Sequence, residues 1–147
     1  MSADRGEFVD ANVLVYAIDT SAAIKRTAAT ELLDRLWEDG TGRVSVQVLQ
    51  EFFVTVTRKI PQPISVDEAF ERIRDLKAWR VFAPTADDVL AAIALHRQEQ
   101  LSFWDAMVVQ AAIEMRCDVL WTEDLNDGQV LRGVTIRNPF LATIDPA

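Results

Sequence analysis

Four carboxylates stand inside or beside apolar runs that otherwise have the composition of a protein core: Asp10, Glu51, Asp105 and Asp124. An ionised carboxylate near a core is costly unless it is paired, hydrogen-bonded or bound to a metal. The chain has 15 lysines and arginines, and none of them lies within three residues of any of these four acids. The pattern therefore favours an acidic cluster that binds a hard divalent cation such as Mg²⁺ or Mn²⁺.

Charge and histidine content restrict the chemistry further. The net charge of −8 argues against nucleic-acid binding through a broad basic surface. Two interpretations remain: the acids surround a cation that attracts phosphate, or the protein does not bind nucleic acid. His96 is the single histidine, which argues against His-rich zinc sites and paired-histidine catalysis.

Length and apolar runs predict a single domain over residues 1–147. No apolar run approaches the roughly 18 residues of a membrane span. The polar residues 1–7 lack the apolar region of a signal peptide. Cys117 is the single cysteine, so an internal disulfide is excluded, as suits a reducing compartment. We therefore expect a cytoplasmic protein with no membrane contact.

Short apolar strands alternate with helices along the chain. The predicted strands cover residues 8–9, 43–46, 80–82, 118–121 and 134–136. With their capping residues, the predicted helices cover residues 12–18, 20–40, 48–59, 65–79, 85–98 and 102–116. Alternation of this kind is typical of α/β domains. We predict a three-layer α/β/α sandwich whose mainly parallel sheet has about five short strands.

Two of the acids have balanced or ordinary structural alternatives. Asp10 directly follows the first predicted strand, where parallel sheets gather their ligands, and it equally suits the N-cap of the next helix. Glu51 lies in the middle of a predicted helix, so capping cannot explain it. An ordinary glutamate at the boundary of the apolar face is the alternative there.

Capping is the strongest alternative at Asp105. The spacing Ser102-x-x-Asp105 fits the capping-box pattern, as Thr85-x-x-Asp88 does elsewhere in the chain. Local sequence alone therefore favours a cap. Unlike Asp88, however, Asp105 lies between two strongly apolar segments.

Asp124 directly follows the fourth predicted strand, at the same end of the sheet as Asp10. A solvated acidic loop is the alternative, because Glu123 and Asp127 are close in sequence and Asp127 suits a turn. Thr122 is placed to orient Asp124, which favours a site.

Together, the order and context of these acids resemble the PIN-domain family, particularly the VapC-type toxin ribonucleases of toxin–antitoxin pairs. The resemblance covers about residues 8–140. Ala11 departs from the family pattern, since many relatives carry a hydroxyl residue there. The matching motifs are Val9-Asp10-Ala11-Asn12-Val13-Leu14, Glu51 in the helix after strand two, Asp105-Ala106 at a helix start, and Thr122-Glu123-Asp124 after strand four.

The resemblance implies a single PIN-like domain with the activity of an Mg²⁺-dependent, or alternatively Mn²⁺-dependent, endoribonuclease. Such an enzyme hydrolyses RNA phosphodiesters and is the toxin of a type II toxin–antitoxin pair. RNA, a cognate antitoxin and a second copy of the chain are the implied partners. The implied residues are Asp10, Glu51, Asp105 and Asp124 as catalytic metal ligands, Asn12 and Thr122 as orienting residues, and Asp127 as a further acid.

Two other classes of protein remain open. One is a PIN-like binding module without activity, although retention of all four acids argues against it. The other is a phospho-accepting signalling domain of the receiver type. That class needs a lysine after a late strand, whereas the last lysine here, Lys77, precedes the third predicted strand.

Overall fold

The computed structural model describes residues 5–141 of the chain. Residues 1–4 and 142–147, which belong to the predicted single domain, lie outside the described residues. The strands are β1 (Gly6–Val9), β2 (Gly42–Ser45), β3 (Arg80–Phe82), β4 (Cys117–Trp121), β5 (Val130–Leu131) and β6 (Val134–Arg137). The helices are α1 (Ala11–Tyr16), α2 (Ala23–Asp39), α3 (Val46–Arg58), α4 (Val66–Leu76), α5 (Ala86–Glu99) and α6 (Phe103–Glu114).

All six strands form one sheet in the order β3-β2-β1-β4-β6-β5. Every neighbouring pair is parallel except β5 and β6, which are antiparallel. The chain moves outward from β1 to β3 on one side and then crosses to β4 on the other. Right-handed crossovers consequently place α1–α4 and α5–α6 on opposite faces of the sheet. The predicted α/β fold with a mainly parallel sheet is confirmed.

The strand β5 is absent from the sequence-based prediction of about five strands. It contains only two residues and pairs only with β6. The turn between them has positive φ at both Arg132 (48°) and Gly133 (88°), as in a tight hairpin turn. A two-residue strand is too short to show a hydrophobic period.

Hydroxyl caps fix the starts of four helices. The side chains of Ser45, Ser65, Thr85 and Ser102 each accept a hydrogen bond from the backbone N–H three residues later. Because Ser45 is a cap, β2 ends there and α3 begins at Val46, two residues earlier than predicted. The helices α4 and α6 end before residues 79 and 116, where the prediction placed their ends.

The predicted cap of α2 at Thr20 or Ser21 is wrong. The helix begins at Ala23, and its N-cap Ala22 offers no side-chain hydrogen bond. Ser21 instead donates through both its backbone N–H and its hydroxyl to Asp19 Oδ1, at 3.0 and 2.6 Å. An aspartate that hydrogen-bonds two residues ahead stabilises a turn in place of a helix start.

One hydrophobic core holds the sheet and helices together. Phe8, Val44, Leu120 and Ile136 are completely buried on four different strands. Seven consecutive residues of α6, from Ala106 to Ala112, are buried, and all of them except Gln110 are apolar, so this helix is buried on all sides. Each fully buried large side chain stabilises the fold by about 1.5–3 kcal/mol. Within residues 5–141, no helix combines the length and apolarity that crossing a bilayer requires.

Candidate active site

The carboxyl ends of the adjacent parallel strands β1 and β4 bring Asp10 and Asp124 to one edge of the sheet. The Asp10 N–H donates to the Trp121 carbonyl at 3.0 Å, which extends the pairing of the two strands. Asp10 is also the N-cap of α1, since its Oδ1 accepts from the Ala11 N–H at 2.7 Å. Its two sequence-based interpretations are therefore compatible.

Thr122, which is fully buried, is the centre of a hydrogen-bond network between the two strand ends. Its hydroxyl donates to Asp10 Oδ2 at 2.9 Å and accepts from the Asp124 N–H at 3.1 Å. The Asn12 amide donates to Thr122 Oγ1 at 3.1 Å and to Asp124 Oδ2 at 3.2 Å. The structure thus brings Asn12 and Thr122 into contact with two of the predicted acids, and their orienting role stays a prediction.

A cavity of about 280 Å³ opens beside this network. A larger depression of about 660 Å³ lies along α2, where Glu31 and Arg35 are its only lining residues with ionisable side chains. The smaller cavity is lined by more carboxylates than the larger one. Its lining includes five carboxylates: Asp10, Asp19, Glu51, Glu123 and Asp124.

Burial and neighbouring charges raise the pKa values of two acids at this edge. Burial raises the pKa of Asp10 from 3.8 to about 7, with further increases from the charges of Asp124 and Glu51. Hydrogen bonds from Thr122 and the backbone of Ala11 oppose this increase in the pKa. Without a cation, Asp10 therefore holds a proton far more readily than an exposed aspartate does.

Asp105 belongs to the same electrostatic environment, although it is not among the residues that line the cavity. Burial raises its pKa, and the charge of Asp124 raises it further, while a hydrogen bond with Ser102 lowers it. Asp124 thus raises the pKa of both Asp10 and Asp105. The cap predicted at this helix is also present, because the Asp105 N–H donates to Ser102 Oγ at 3.1 Å.

Gln47 connects Glu51, the second of the four predicted acids along the chain, with the start of α6. Its side-chain amide donates to Glu51 Oε1 at 2.9 Å and to the Trp104 carbonyl at 3.3 Å. Glu51 lies on an exposed part of α3 that faces the cavity. The bridge through Gln47 holds the Glu51 side chain close to the residue that precedes Asp105.

The further predicted acid, Asp127, has a different local partner. Its Oδ1 accepts a hydrogen bond from the Asn138 N–H at 2.8 Å, which ties the loop after β4 to the end of β6. Asp127 is not among the residues that line the cavity. This contact is structural, and participation of Asp127 in a site stays a prediction.

The sequence analysis missed two ionisable residues at the cavity. Asp19 contributes a fifth lining carboxylate. Lys25 donates to Glu123 Oε2 at 3.0 Å and lies 4.7 Å from the centroid of the Tyr16 ring. A cation therefore does reach the acidic cluster, from a position 98 residues away in sequence. This contact could not be predicted from neighbouring residues, because Lys25 and Glu123 are far apart in the sequence.

The donor atoms at this edge are oxygens, which suit hard divalent cations. Within residues 5–141, no three His, Cys, Asp or Glu side chains converge into a ready-made metal-chelating group. Mg²⁺ does not require one, because proteins usually hold it through one or two carboxylates while it keeps several waters. The pair formed by Asp10 and Asp124 fits that mode of binding.

Comparison with known proteins gives a family match and several similar folds. A family model described as the PIN domain matches residues 8–128. A toxin–antitoxin complex from Klebsiella pneumoniae aligns with a TM-score of 0.67 and 19% identity, over 91% of this chain and 98% of that chain. VapC20 of Mycobacterium tuberculosis, a toxin that cleaves the sarcin–ricin loop, aligns with a TM-score of 0.62 and 22% identity, over 81% and 92%.

VapBC2 of Rickettsia felis, bound to a DNA fragment from its promoter, aligns with a TM-score of 0.62 and 17% identity, over 90% of this chain and 97% of that chain. At these identities, the likeness to solved structures shows the fold. The comparison with curated proteins gives no match.

Proposed function

The chain belongs to the PIN domain family, and we propose that it is a metal-dependent endoribonuclease, the toxin of a type II toxin–antitoxin pair. The observation that carries this proposal is the network in which Thr122 and Asn12 connect Asp10 with Asp124 beside an acidic cavity. Similar solved structures include a toxin–antitoxin complex and an RNA-cleaving toxin, which supports an antitoxin as partner and RNA as substrate.

We assign Mg²⁺ or Mn²⁺ to the pair Asp10 and Asp124, with Asp105 and Glu51 as the further acids that reach the ion directly or through water. When bound, such an ion lowers the pKa of water and stabilises charge on a phosphate. The raised pKa of Asp10 supports the assignment, because a nearby cation would favour the ionised carboxylate that burial and the charges of Asp124 and Glu51 disfavour. Asn12 and Thr122 hold Asp10 and Asp124 in place through three hydrogen bonds, and a fourth joins Asn12 to Thr122.

The substrate must approach a protein whose net charge is −8. Lys25 supplies a positive charge at the cavity through its contact with Glu123. Lysine and arginine side chains that neutralise phosphates are the usual source of affinity for nucleic acids, and Lys25 could exchange its contact with Glu123 for one with a phosphate. Lys25 is therefore the side chain that we assign to the first contact with an RNA phosphate.

We infer that water, and not the 2′-hydroxyl of the RNA, is the nucleophile. The 2′-hydroxyl route generally uses a base of the histidine type. His96 is on α5, where its Nδ1 lies 2.6 Å from the Leu101 carbonyl oxygen, and it is not among the residues that line the cavity. Attack by water would leave a 5′-phosphate and a 3′-hydroxyl.

Mapping the ends of cleaved RNA tests the proposal. Purified protein should cut single-stranded RNA in Mg²⁺, EDTA should abolish cleavage, and the products should carry 5′-phosphates. A single 2′-deoxy substitution at the cut should slow the reaction only moderately. Cyclic 2′,3′-phosphate products, or cleavage that resists EDTA, would overturn this mechanism.

Metal binding can be measured without any cleavage. Mg²⁺ or Mn²⁺ at about 100 times its Kd should stabilise the fold by about 2.7 kcal/mol and raise its melting temperature. The double variant Asp10→Asn/Asp105→Asn should lose this response. An unchanged response in the double variant would place the ion elsewhere, and no response in the wild type would favour the inactive binding module.

A further inference from the structure

A large aromatic side chain is exposed beside the proposed active site. The Trp104 side chain is 63% exposed at the start of α6, directly before Asp105. An indole presents a flat apolar face that gains free energy when a partner covers it.

The backbone of Trp104 is connected to two of the proposed site acids, Glu51 and Asp105. Its carbonyl accepts from Gln47 Nε2, and the same Gln47 amide nitrogen donates to Glu51 Oε1. The next residue along α6, Asp105, is one of the four proposed site acids. The Trp104 backbone therefore lies between Asp105, its neighbour in sequence, and Glu51, to which Gln47 connects it.

The ring is also held in position before any ligand arrives. The Phe103 and Trp104 rings pack edge to face, with centroids 5.0 Å apart and an interplanar angle of 72°. Gln47 fixes the carbonyl of the same residue. A side chain that is already ordered loses little conformational entropy on binding.

We propose that Trp104 is a stacking platform for one nucleobase of single-stranded RNA next to the scissile phosphate; this inference rests on the proposed ribonuclease function. Single-stranded RNA is commonly bound by stacking its bases on aromatic side chains. Stacking requires no positive charge, so it supplies affinity to a protein whose net charge of −8 disfavours contacts with phosphates.

Trp37 provides a matched control elsewhere on the surface. It is 42% exposed, but its ring packs against Trp79 with the centroids 5.3 Å apart. It lies on α2 and lines a separate groove with residues of α1, α3 and α4. Replacement of Trp37 removes a partly exposed indole of the same size without touching the acidic cavity.

The first test is steady-state cleavage of a single-stranded RNA oligonucleotide in Mg²⁺. Trp104→Ala should lower kcat/KM by about 5- to 100-fold, mainly through KM, which is the range that loss of one stacked base gives. Trp104→Phe should recover most of this loss, and Trp37→Ala should match the wild type. Equal KM values for Trp104→Ala and the wild type would overturn the stacking role.

The second test removes the base instead of the ring. Abasic nucleotides are placed singly at each position around the cut. At one position, the wild type should lose as much as Trp104→Ala loses on intact RNA, and the two proteins should then become equal, as expected for one shared interaction. A deficit of Trp104→Ala that persists on every abasic substrate would overturn the proposal.

Oligomeric state and basal activity separate the remaining outcomes. Light scattering should give the same mass for Trp104→Ala and the wild type. A lower mass for the variant would make the indole a contact between copies of the chain and overturn the proposal. Failure of the wild type to cut any RNA would overturn the proposed function and this inference together, whereas an active wild type that is indifferent to Trp104→Ala overturns stacking alone.

Discussion

The N-termini of α5 and α6 carry the same hydroxyl-x-x-aspartate spacing but use the aspartate differently. At α5, Asp88 Oδ2 accepts from the Thr85 N–H at 2.8 Å, and Oδ1 accepts from Gln110 Nε2 at 3.1 Å. The backbone hydrogen bond from Thr85 is the largest factor that lowers the pKa of Asp88. At α6, burial raises the pKa of Asp105 although Ser102 caps the helix.

The difference lies in what faces each carboxylate. Asp88 accepts hydrogen bonds that stabilise its ionised form, whereas Asp105 is partly buried and also lies near the charge of Asp124. Asp10 is itself the cap of α1, and burial still raises its pKa to about 7, so its carboxylate resembles that of Asp105 and not that of Asp88. A capping pattern therefore specifies the start of a helix, and the groups packed around the side chain specify its chemistry.

The largest expected effect is on the pH dependence of stability. Because folding raises the pKa of Asp10 from 3.8 to about 7, the folded state binds the proton more tightly across this window. The resulting stabilisation is present below pH 4 and is lost as the pH rises through 7, by up to about 4 kcal/mol. Denaturant unfolding in EDTA should show this fall, and Asp10→Asn should flatten the curve.

Asp88→Asn is the control for this experiment. The pKa of Asp88 is lowered, so its contribution to stability is present above pH 3.8 and is lost only as the pH falls through its folded pKa. This variant should therefore keep the wild-type slope between pH 5 and 8. A wild-type slope in Asp10→Asn as well would mean that Asp10 does not titrate in this range.

The second largest expected effect is on RNA cleavage, which should depend on Asp105 but not on Asp88. Asp105→Asn should lower kcat/KM by about 100-fold. Even mutation of a residue that only hydrogen-bonds to a metal ligand typically lowers metal affinity or activity by roughly 10- to 100-fold. Asp88→Asn should stay within a few-fold of the wild type at equal soluble levels. Expression without an antitoxin should likewise arrest bacterial growth only while Asp105 is intact. If both variants behave alike, Asp105 is merely a cap.

The smallest expected effect is on stability at neutral pH. Here, in contrast to RNA cleavage, replacing Asp88 should have the larger effect and replacing Asp105 the smaller one. Asp88→Ala should destabilise the fold by about 1–3 kcal/mol, since it removes a cap bond and leaves the Gln110 amide without this acceptor. Asp105→Ala should be neutral or stabilising without metal, because it relieves burial of a charge. Urea unfolding in EDTA measures the free energy of unfolding of both variants. Equal losses of stability in the two variants would contradict this prediction.

Much of the fold follows from short stretches of sequence. The strand β3 has its predicted bounds, and the hydroxyl caps at Ser65, Thr85 and Ser102 begin helices as predicted. These features depend on hydrogen bonds and apolar spacing within about four residues. The strand β5 and the start of α2 differ from the prediction because a two-residue pairing and the turn at Asp19 have no such periodic signal.

The sequence by itself determined which residues are acidic, where β1, β3 and β4 end, and where α4, α5 and α6 begin. Only the tertiary structure decided which carboxylates act on one another and which cation reaches them. Thr122 contacts Asp10 across 112 positions, and Lys25 contacts Glu123 across 98. Local structure depends on neighbours along the chain, whereas a pKa depends on burial and on charges within a few ångströms, and the crossovers of the sheet bring those together.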